Sequence, residues 1–380
     1  MSNTLNLPGG AVTLKDGPAV QAADGWNRTA FAAAHVVADP LADNDPWIDS
    51  AIDWDRTLAF REHLWGLGFG VAEAMDTAQR GMGMDWPTSL ELIRRSVAAA
   101  RAGGHLIASG AGTDHIAAEG ATIDDVIAAY EEQCEAVEAT GSQVILMASR
   151  ALVKAAQGPD DYARVYDRVL GGLQQPAILH WLGEMFDPAL QGYWGNADHM
   201  AAMETCLQVI QANAAKVDGI KVSLLSADKE IAMRRRLPDG VLMYTGDDFN
   251  YPDLIAGDEQ GYSHALLGIF DPIAGAAARA LSALGRGDMN RYGDAFGPTV
   301  PLSRHIFKAP TRFYKTGVVF LAYLNGHQDH FTMIGGQESA RSTRHLADIV
   351  RRANDAGLFP DAALSAARAR PVFAARGVEV

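Results

Sequence analysis

Cysteine is nearly missing from this chain: Cys134 and Cys206 are the only two among 380 residues. Both fall in helix-like segments with no CxxC or CxxH spacing, so no disulfide framework or zinc site is indicated, and both are expected to fill core space. Long apolar runs are missing as well. No stretch approaches the roughly 20 residues that a membrane helix requires. The polar start, Met1-Ser2-Asn3-Thr4, lacks the charged-then-apolar order of a signal peptide. A cytoplasmic protein with no membrane partner is therefore expected. Positive charge is scarce too: the formal net charge is -14, which repels phosphate backbones. The one dense basic run, Arg234-Arg235-Arg236, is short and suits a solvated helix end, where the dipole favours cations. No nucleic-acid partner is expected. A glycine-rich phosphate loop is also lacking after the first strand-like run, where Ala38-Asp39-Pro40-Leu41 stands instead. That disfavours an open dinucleotide-binding sheet.

What is present is a hydrophobic fraction of 48 %, enough for a large core, and a regular alternation of short apolar runs with longer amphipathic stretches. Strands are expected over 31–37, 68–74, 105–109, 143–148, 176–181, 218–223, 240–245 and 261–266. Helical patterns lie between them at 54–67, 89–102, 122–140, 160–173 and 198–216. Thr88-Ser89, Thr122 and Asp187-Pro188 stand where helices should start. Strands that alternate with helices pair in parallel through right-handed crossovers, and eight such units close into a (β/α)8 barrel. The expected organisation is an N-terminal arm over 1–28, with turns at Pro8-Gly9-Gly10 and Lys15-Asp16-Gly17-Pro18, and a barrel over 29–286. A C-terminal helical extension over 287–380 follows, and helical stretches are read near 274–287, 309–325 and 339–356.

In such a barrel, function sits at the C-terminal ends of the strands. The residue that stands out there is Lys221, an ammonium in the otherwise apolar run Gly219-Ile220-Lys221-Val222-Ser223-Leu224. Two readings are open. The side chain snorkels from an edge strand to solvent, or burial drives it toward the neutral amine, a nucleophile that condenses with carbonyl compounds. Alternation along the strand puts Ser223 on the same face as Lys221. The other strand ends offer Asp76, Thr77 and Arg80 after the second strand, Ser109 in the third, Arg150 after the fourth, His180 in the fifth, Asp247 and Asp248 after the seventh and His264 in the eighth.

Several of these segments resemble the dihydrodipicolinate synthase and N-acetylneuraminate lyase family. Gly219-Ile220-Lys221, Tyr244-Thr245-Gly246-Asp247-Asp248 and Gly261-Tyr262-Ser263 are similar to its last three strands. Leu106-Ile107-Ala108-Ser109-Gly110-Ala111-Gly112 resembles its third-strand loop, and Pro176-Ala177-Ile178-Leu179-His180 its fifth strand. The resemblance, over roughly 30–285 and into the tail, implies a class I aldolase-type TIM barrel. In that family the strand-six lysine forms an imine with a 2-keto acid, without cofactor or metal, in a dimeric or tetrameric homo-oligomer. Lys221 matches that lysine. The chain departs from the family in two places. His180 stands where a proton-relaying tyrosine is usual, and imidazole near its unperturbed pKa of about 6.5 can serve the same purpose at neutral pH. Asp76-Thr77-Ala78-Gln79-Arg80 replaces a glycine- and threonine-rich loop that holds the keto-acid carboxylate. Arg80 or Arg150 could hold a carboxylate bidentately, but Asp76 would repel one, which favours a neutral carbonyl compound such as a keto-sugar derivative.

The expectation is thus a carbon-carbon or carbon-oxygen lyase acting through Lys221 and His180, with Asp76, Thr77, Arg80, Ser109, Arg150, Ser223, Asp247 and His264 around a small-molecule carbonyl substrate. Against it stand a metal-dependent isomerase or class II aldolase with Asp76, His180, Asp247 and His264 as ligands, and a non-catalytic binder on the same scaffold. Blander roles are open for individual residues: Asp247 or Asp248 as a helix cap, Trp181, Tyr193 and Trp194 as packing rather than a sugar wall, and His327 and His330 as surface residues at a helix end.

Overall fold

The computed structural model describes residues 2–22 and 25–379; within the expected arm, residues 1, 23 and 24 lie outside this set. A hairpin of β1 (Thr4–Leu7) and β2 (Gly10–Thr13) turns at Pro8-Gly9. Eight further strands close a barrel: β3 (Ala30–Ala33), β4 (Gly70–Glu73), β5 (Ile107–Ala111), β6 (Gln143–Leu146), β7 (Ala177–Leu182), β8 (Val217–Ser223), β9 (Leu242–Thr245) and β10 (His264–Leu267). Each is parallel to its neighbours, and β10 returns to β3. All eight expected strands are present. Parallel strands are buried on both faces, which is why their sequences read as near-continuous apolar runs. Inside the ring stand Phe31, Ala33, Ala72, Ala108, Ile145, Ile178, Tyr244 and Leu266, contributed by seven of the eight strands, with Phe31 and Ala33 two residues apart on β3. The opposite faces join the larger core under the helices.

The barrel helices are α1 (Trp54–Gly66), α2 (Trp86–Gly103), α3 (Ile123–Thr140), α4 (Arg150–Ala155), α5 (Pro159–Gly172), α6 (His199–Ala212), α7 (Ala227–Arg234), α8 (Tyr251–Ala256) and α9 (Ala274–Gly285). Thr122 caps α3 in a reciprocal capping box with Asp125. The start of α2 lies earlier than expected: Asp85, not Thr88-Ser89, is its cap, accepting from Thr88 N, with Pro87 in the first turn. Arg234-Arg235-Arg236 does end α7, but as ion-pair partners of Asp258 and Glu204. Both cysteines are buried and unbridged.

The C-terminal part is more helical than its sequence pattern indicates. It holds α10 (Met289–Phe296), α11 (Val300–Ile306), α12 (Tyr314–Leu324), α13 (Thr343–Asp355) and α14 (Ala362–Ala374), of which α10, α11 and α14 were not expected. Their short apolar faces are too brief to stand out as a helical period. The side chains of this tail join the same continuous core as the barrel helices. The second expected turn of the arm does not form; residues 14–22 run irregularly over the tail. Gly17 N donates to Phe359 O at 2.8 Å, and a Cβ at Gly17 would stand 2.0 Å from Gly357 O, so only glycine permits this approach. Among the described residues, no helix is long and apolar enough to cross a membrane.

Candidate active site

The barrel's own geometry decides which way Lys221 points. A Cβ added at Gly219 would strike the Tyr244 ring at 2.7 Å, so Gly219 faces the interior, and Lys221 and Ser223 share its face. The outward-snorkelling reading of Lys221 is thereby set aside: the residue is 7 % exposed. In register, Lys221 lies between His180 and Tyr244 on the neighbouring strands. Space for its stem comes from Gly246, where a Cβ would stand 2.9 Å from Lys221 Cε and 2.3 Å from Ser223 Oγ. The amine has no hydrogen bond and no ion pair among the described residues. Burial lowers its pKa from the ordinary lysine value, while the charges of Asp248 and Asp76 oppose that shift.

His180, 1 % exposed, shares Ser223 Oγ through Nε2 at 3.2 Å, and its Nδ1 has no partner. Burial first, and Lys221 second, push the imidazole well below its ordinary value. At neutral pH it is therefore the neutral base, not the half-protonated group that the unperturbed value suggests. Asp248 accepts from Ile269 N at 2.8 Å, and burial raises its carboxyl toward the neutral form. Lys221 and Asp248 each have their charged form disfavoured by burial, and the opposite charge of the other only partly offsets this.

A cavity of about 540 Å³ opens over the β4–β7 side of the mouth. Asp76, Arg80, Arg150, His180, Asp187 and Arg312 are among its walls. Lys221 is not a wall residue; it stands behind His180 in strand register. The opposite side of the mouth is closed by the tail. Phe307 and Tyr314 stack at 4.3 Å and meet Phe186 edge-on. Both rings approach Gly268, where a Cβ would lie 3.2 Å from each.

The remaining expected residues are distributed unequally. Asp76 lines the cavity, and Thr77 Oγ1 is engaged with Tyr314 OH at 2.8 Å. Arg80 lines it too, but its fork is committed to Asp114, at 2.9 and 2.7 Å, and to Gly110 O at 2.6 Å. Arg150 is half-exposed and pairs through Nε with Asp187. Asp247 accepts from Phe249 N and Asn250 N at 2.8 and 3.0 Å, so it ties the turn ahead of α8, where Asn250 holds the cap position.

Two expected residues are not brought to the site. Ser109 faces outward, because Ala108 lies in the interior cluster, and it bonds Ser142 Oγ at 2.8 Å. His264 starts β10 rather than ending it: its Nδ1 accepts from Thr29 N at 2.8 Å at the opposite end of the barrel. The tight turn Asp258↔Gly261 delays the strand by three residues relative to the apolar pattern. Asp76, His180, Asp247 and His264 consequently do not converge, and among the described residues no three His, Cys, Asp or Glu side chains are grouped to hold a metal ion. Trp181 and Trp194 pack with Tyr162, Tyr166 and Tyr193 in the core. His327, expected at the surface, is wedged between Phe60 and His63, and burial drives it down to about 3.

Residues of the tail at the mouth carry a signal that was overlooked. Lys315, 4 % exposed, is the one charge in the apolar run Tyr314-Lys315-Thr316-Gly317-Val318-Val319-Phe320. This is the kind of anomaly that singles out Lys221, but only the packed tail reveals that its amine sits behind Arg312, which lines the cavity.

This architecture is a closed parallel (β/α)8 barrel with a C-terminal helical part, the fold of solved dihydrodipicolinate synthases. Similar solved structures include dihydrodipicolinate synthase from Aquifex aeolicus, with TM-score 0.66 and 11 % identity over 87 % of this chain and 98 % of that one. The Oceanobacillus iheyensis enzyme gives 0.63 and 14 % over 86 % and 97 %. The 4-hydroxy-tetrahydrodipicolinate synthase of Methylacidiphilum fumariolicum SolV gives 0.63 and 14 % over 87 % and 95 %. At such identity the likeness is one of fold. Among curated proteins no sequence matches this chain. By sequence the chain belongs to the family described as protein of unknown function DUF993, whose model spans residues 10–378, and its fold is like that of the dihydrodipicolinate synthases.

Proposed function

We propose that this protein is a Schiff-base-forming lyase or aldolase that acts on a small carbonyl compound through Lys221. The observation that supports the reading most is an inward-facing lysine on the sixth barrel strand with lowered pKa and no anionic partner in contact, next to a neutral imidazole. The uncharged Nζ adds to the substrate carbonyl carbon, and the carbinolamine formed loses water to give the imine. Once protonated, the imine takes up as an enamine the electron pair of a breaking carbon-carbon bond; where a carbon-oxygen bond breaks instead, it takes up the pair of the neighbouring carbon-hydrogen bond, and the enamine then expels the oxygen, which leaves with its own bonding pair as water. His180, held by Ser223, carries the proton released or required at the neighbouring carbon. Asp248, whose charge acts on Lys221 without touching it, serves as acceptor for the proton that leaves the amine. Asp76 in the cavity wall disfavours a carboxylate beside the carbonyl, and Arg80 is already committed to Asp114, so a carbonyl carbon without an adjacent carboxylate is preferred over a 2-keto acid.

Homo-oligomeric assembly, as a dimer or tetramer, and a cytoplasmic location belong to the same reading. The exposed Leu41, Trp47 and Ile48 in one loop are consistent with a subunit contact.

The test is borohydride reduction of the protein with small keto and aldehyde compounds, read by mass spectrometry of peptides. Trapping at Lys221, lost in Lys221→Met, is expected. Absence of an adduct with every carbonyl compound offered, or an adduct that persists in the variant, refutes the mechanism.

A further inference from the structure

We propose that the C-terminal extension supplies an oxyanion-binding locus to this site, in which Lys315 and Arg312, together with Arg150, recognise a phosphate or carboxylate carried at the end of the substrate remote from its carbonyl. The proposal rests on the functional reading above and adds the substrate's charge pattern to it.

Lys315 is a buried ammonium without an anionic contact. Its Nζ donates to Arg312 O at 3.1 Å and touches Met82 Sδ at 3.3 Å, and it has no ion pair among the described residues. Buried charges are ordinarily paired, because an unpaired one loses its hydration without compensation. The charged groups around Lys315 are Asp76, Asp187, Arg150 and Arg312, and all four line the same cavity. They do not neutralise one another: the walls also hold Asp114 and Glu119 with Arg80 and Lys154, two charges of each sign, which leaves Arg150, Arg312 and Lys315 against Asp76 and Asp187. Asp187 is already bound by Arg150 Nε, and Arg312 is exposed with no acidic partner. The locus is therefore one anion short. A substrate oxyanion would complete it, with charge-assisted hydrogen bonds from a guanidinium on the rim and an ammonium behind it.

Next to the reacting amine the character is reversed: His180 is neutral, Asp76 acts on Lys221 as it does on Lys315, and Arg80 is committed to Asp114, so no free cation is left there for an anion beside the carbonyl. The two ends together select a molecule that is neutral at its carbonyl and anionic at its far end.

Four probes separate the alternatives in borohydride trapping at Lys221: dihydroxyacetone, dihydroxyacetone phosphate, levulinate and pyruvate. Half-saturation by dihydroxyacetone phosphate or levulinate is expected at about tenfold lower concentration than by dihydroxyacetone, and whichever of the two binds better identifies phosphate or carboxylate as the oxyanion. Lys315→Met and Arg312→Gln should each abolish most of that difference. Arg312 is exposed, so the second variant is not expected to disturb folding. Equal half-saturation by the charged and neutral probes, a preference for pyruvate, or a preference untouched by both variants overturns the proposal. Calorimetric titration with inorganic phosphate gives a readout that does not depend on imine formation. Binding by the wild-type chain that is lost in Lys315→Met supports the locus even if no probe forms an adduct, in which case the imine reading alone falls. No phosphate binding together with no charge preference refutes the locus itself.

Discussion

Lys315→Met should stabilise the unliganded protein at neutral pH by about 2–3 kcal/mol, and this gain should vanish at high pH. Burial pushes the Lys315 ammonium from 10.5 down to about 8. At roughly 1.4 kcal/mol per pKa unit, the folded state carries a penalty of about 3 kcal/mol for keeping this charge. Methionine fills a similar volume and forfeits the hydrogen bond to Arg312 O together with weaker contacts to Met82 Sδ and the Tyr314 ring, about 1 kcal/mol in all. Below pH 8 the lysine is protonated in both folded and unfolded chains, so the whole penalty is present. Between pH 8 and 10.5 the folded chain releases its proton first and the penalty fades; above 10.5 the amine is neutral in both states. The assay is urea unfolding of wild type and variant at pH 7 and pH 10, with the difference between the two proteins compared at each pH. Inorganic phosphate at pH 7 should narrow the difference, because it binds only the folded wild type. A variant no more stable than wild type at pH 7, or a gain of the same size at pH 10, would refute the account of Lys315 as an uncompensated buried charge.

Glu230 offers a test of opposite sign. Its carboxyl accepts from Thr245 Oγ1 and Ser263 Oγ, and burial pushes it from 4.5 up to about 8. The acid is neutral in both states below pH 4.5, and the penalty for ionising it grows through the window up to pH 8. Glu230→Gln should therefore gain about 3–5 kcal/mol of stability relative to wild type between pH 5 and pH 8.5, measured by denaturant unfolding; a pH-independent difference would disprove the shift. Gly246→Ala places a methyl 2.3 Å from Ser223 Oγ and 2.9 Å from Lys221 Cε. It should lower stability by about 1–3 kcal/mol and reduce carbonyl trapping at Lys221 at least about tenfold; unchanged trapping would mean that Lys221 does not use this space.

The eight alternations and the shared strand face of Lys221 and Ser223 were legible because both are periodic properties of short segments. Apolar spacing reports strand and helix, and two residues separated by one along a strand share a face whatever surrounds them. The same rule, applied from the wrong starting point, misplaces His264, since a turn at Asp258↔Gly261 moves the strand start without altering the apolar pattern. Ser109 shows a further difficulty: its motif position is recognisable, but which face of β5 is inward depends on the neighbouring strands.

Local pattern, then, accounts for a closed parallel barrel and for Lys221 and Ser223 sharing one strand face, because hydrophobic period and side-chain alternation act over a few residues; which face is the inner one was decided by the packing of neighbouring strands. The loss of charge tendency at that lysine, the neutral state of His180, the engagement of Arg80 by Asp114 and the reach of Arg312 and Lys315 over the mouth depend on which distant segments are packed together. Desolvation and Coulomb energies are set by neighbours in space, and those neighbours come from parts of the chain up to hundreds of residues apart, where no local spacing rule applies.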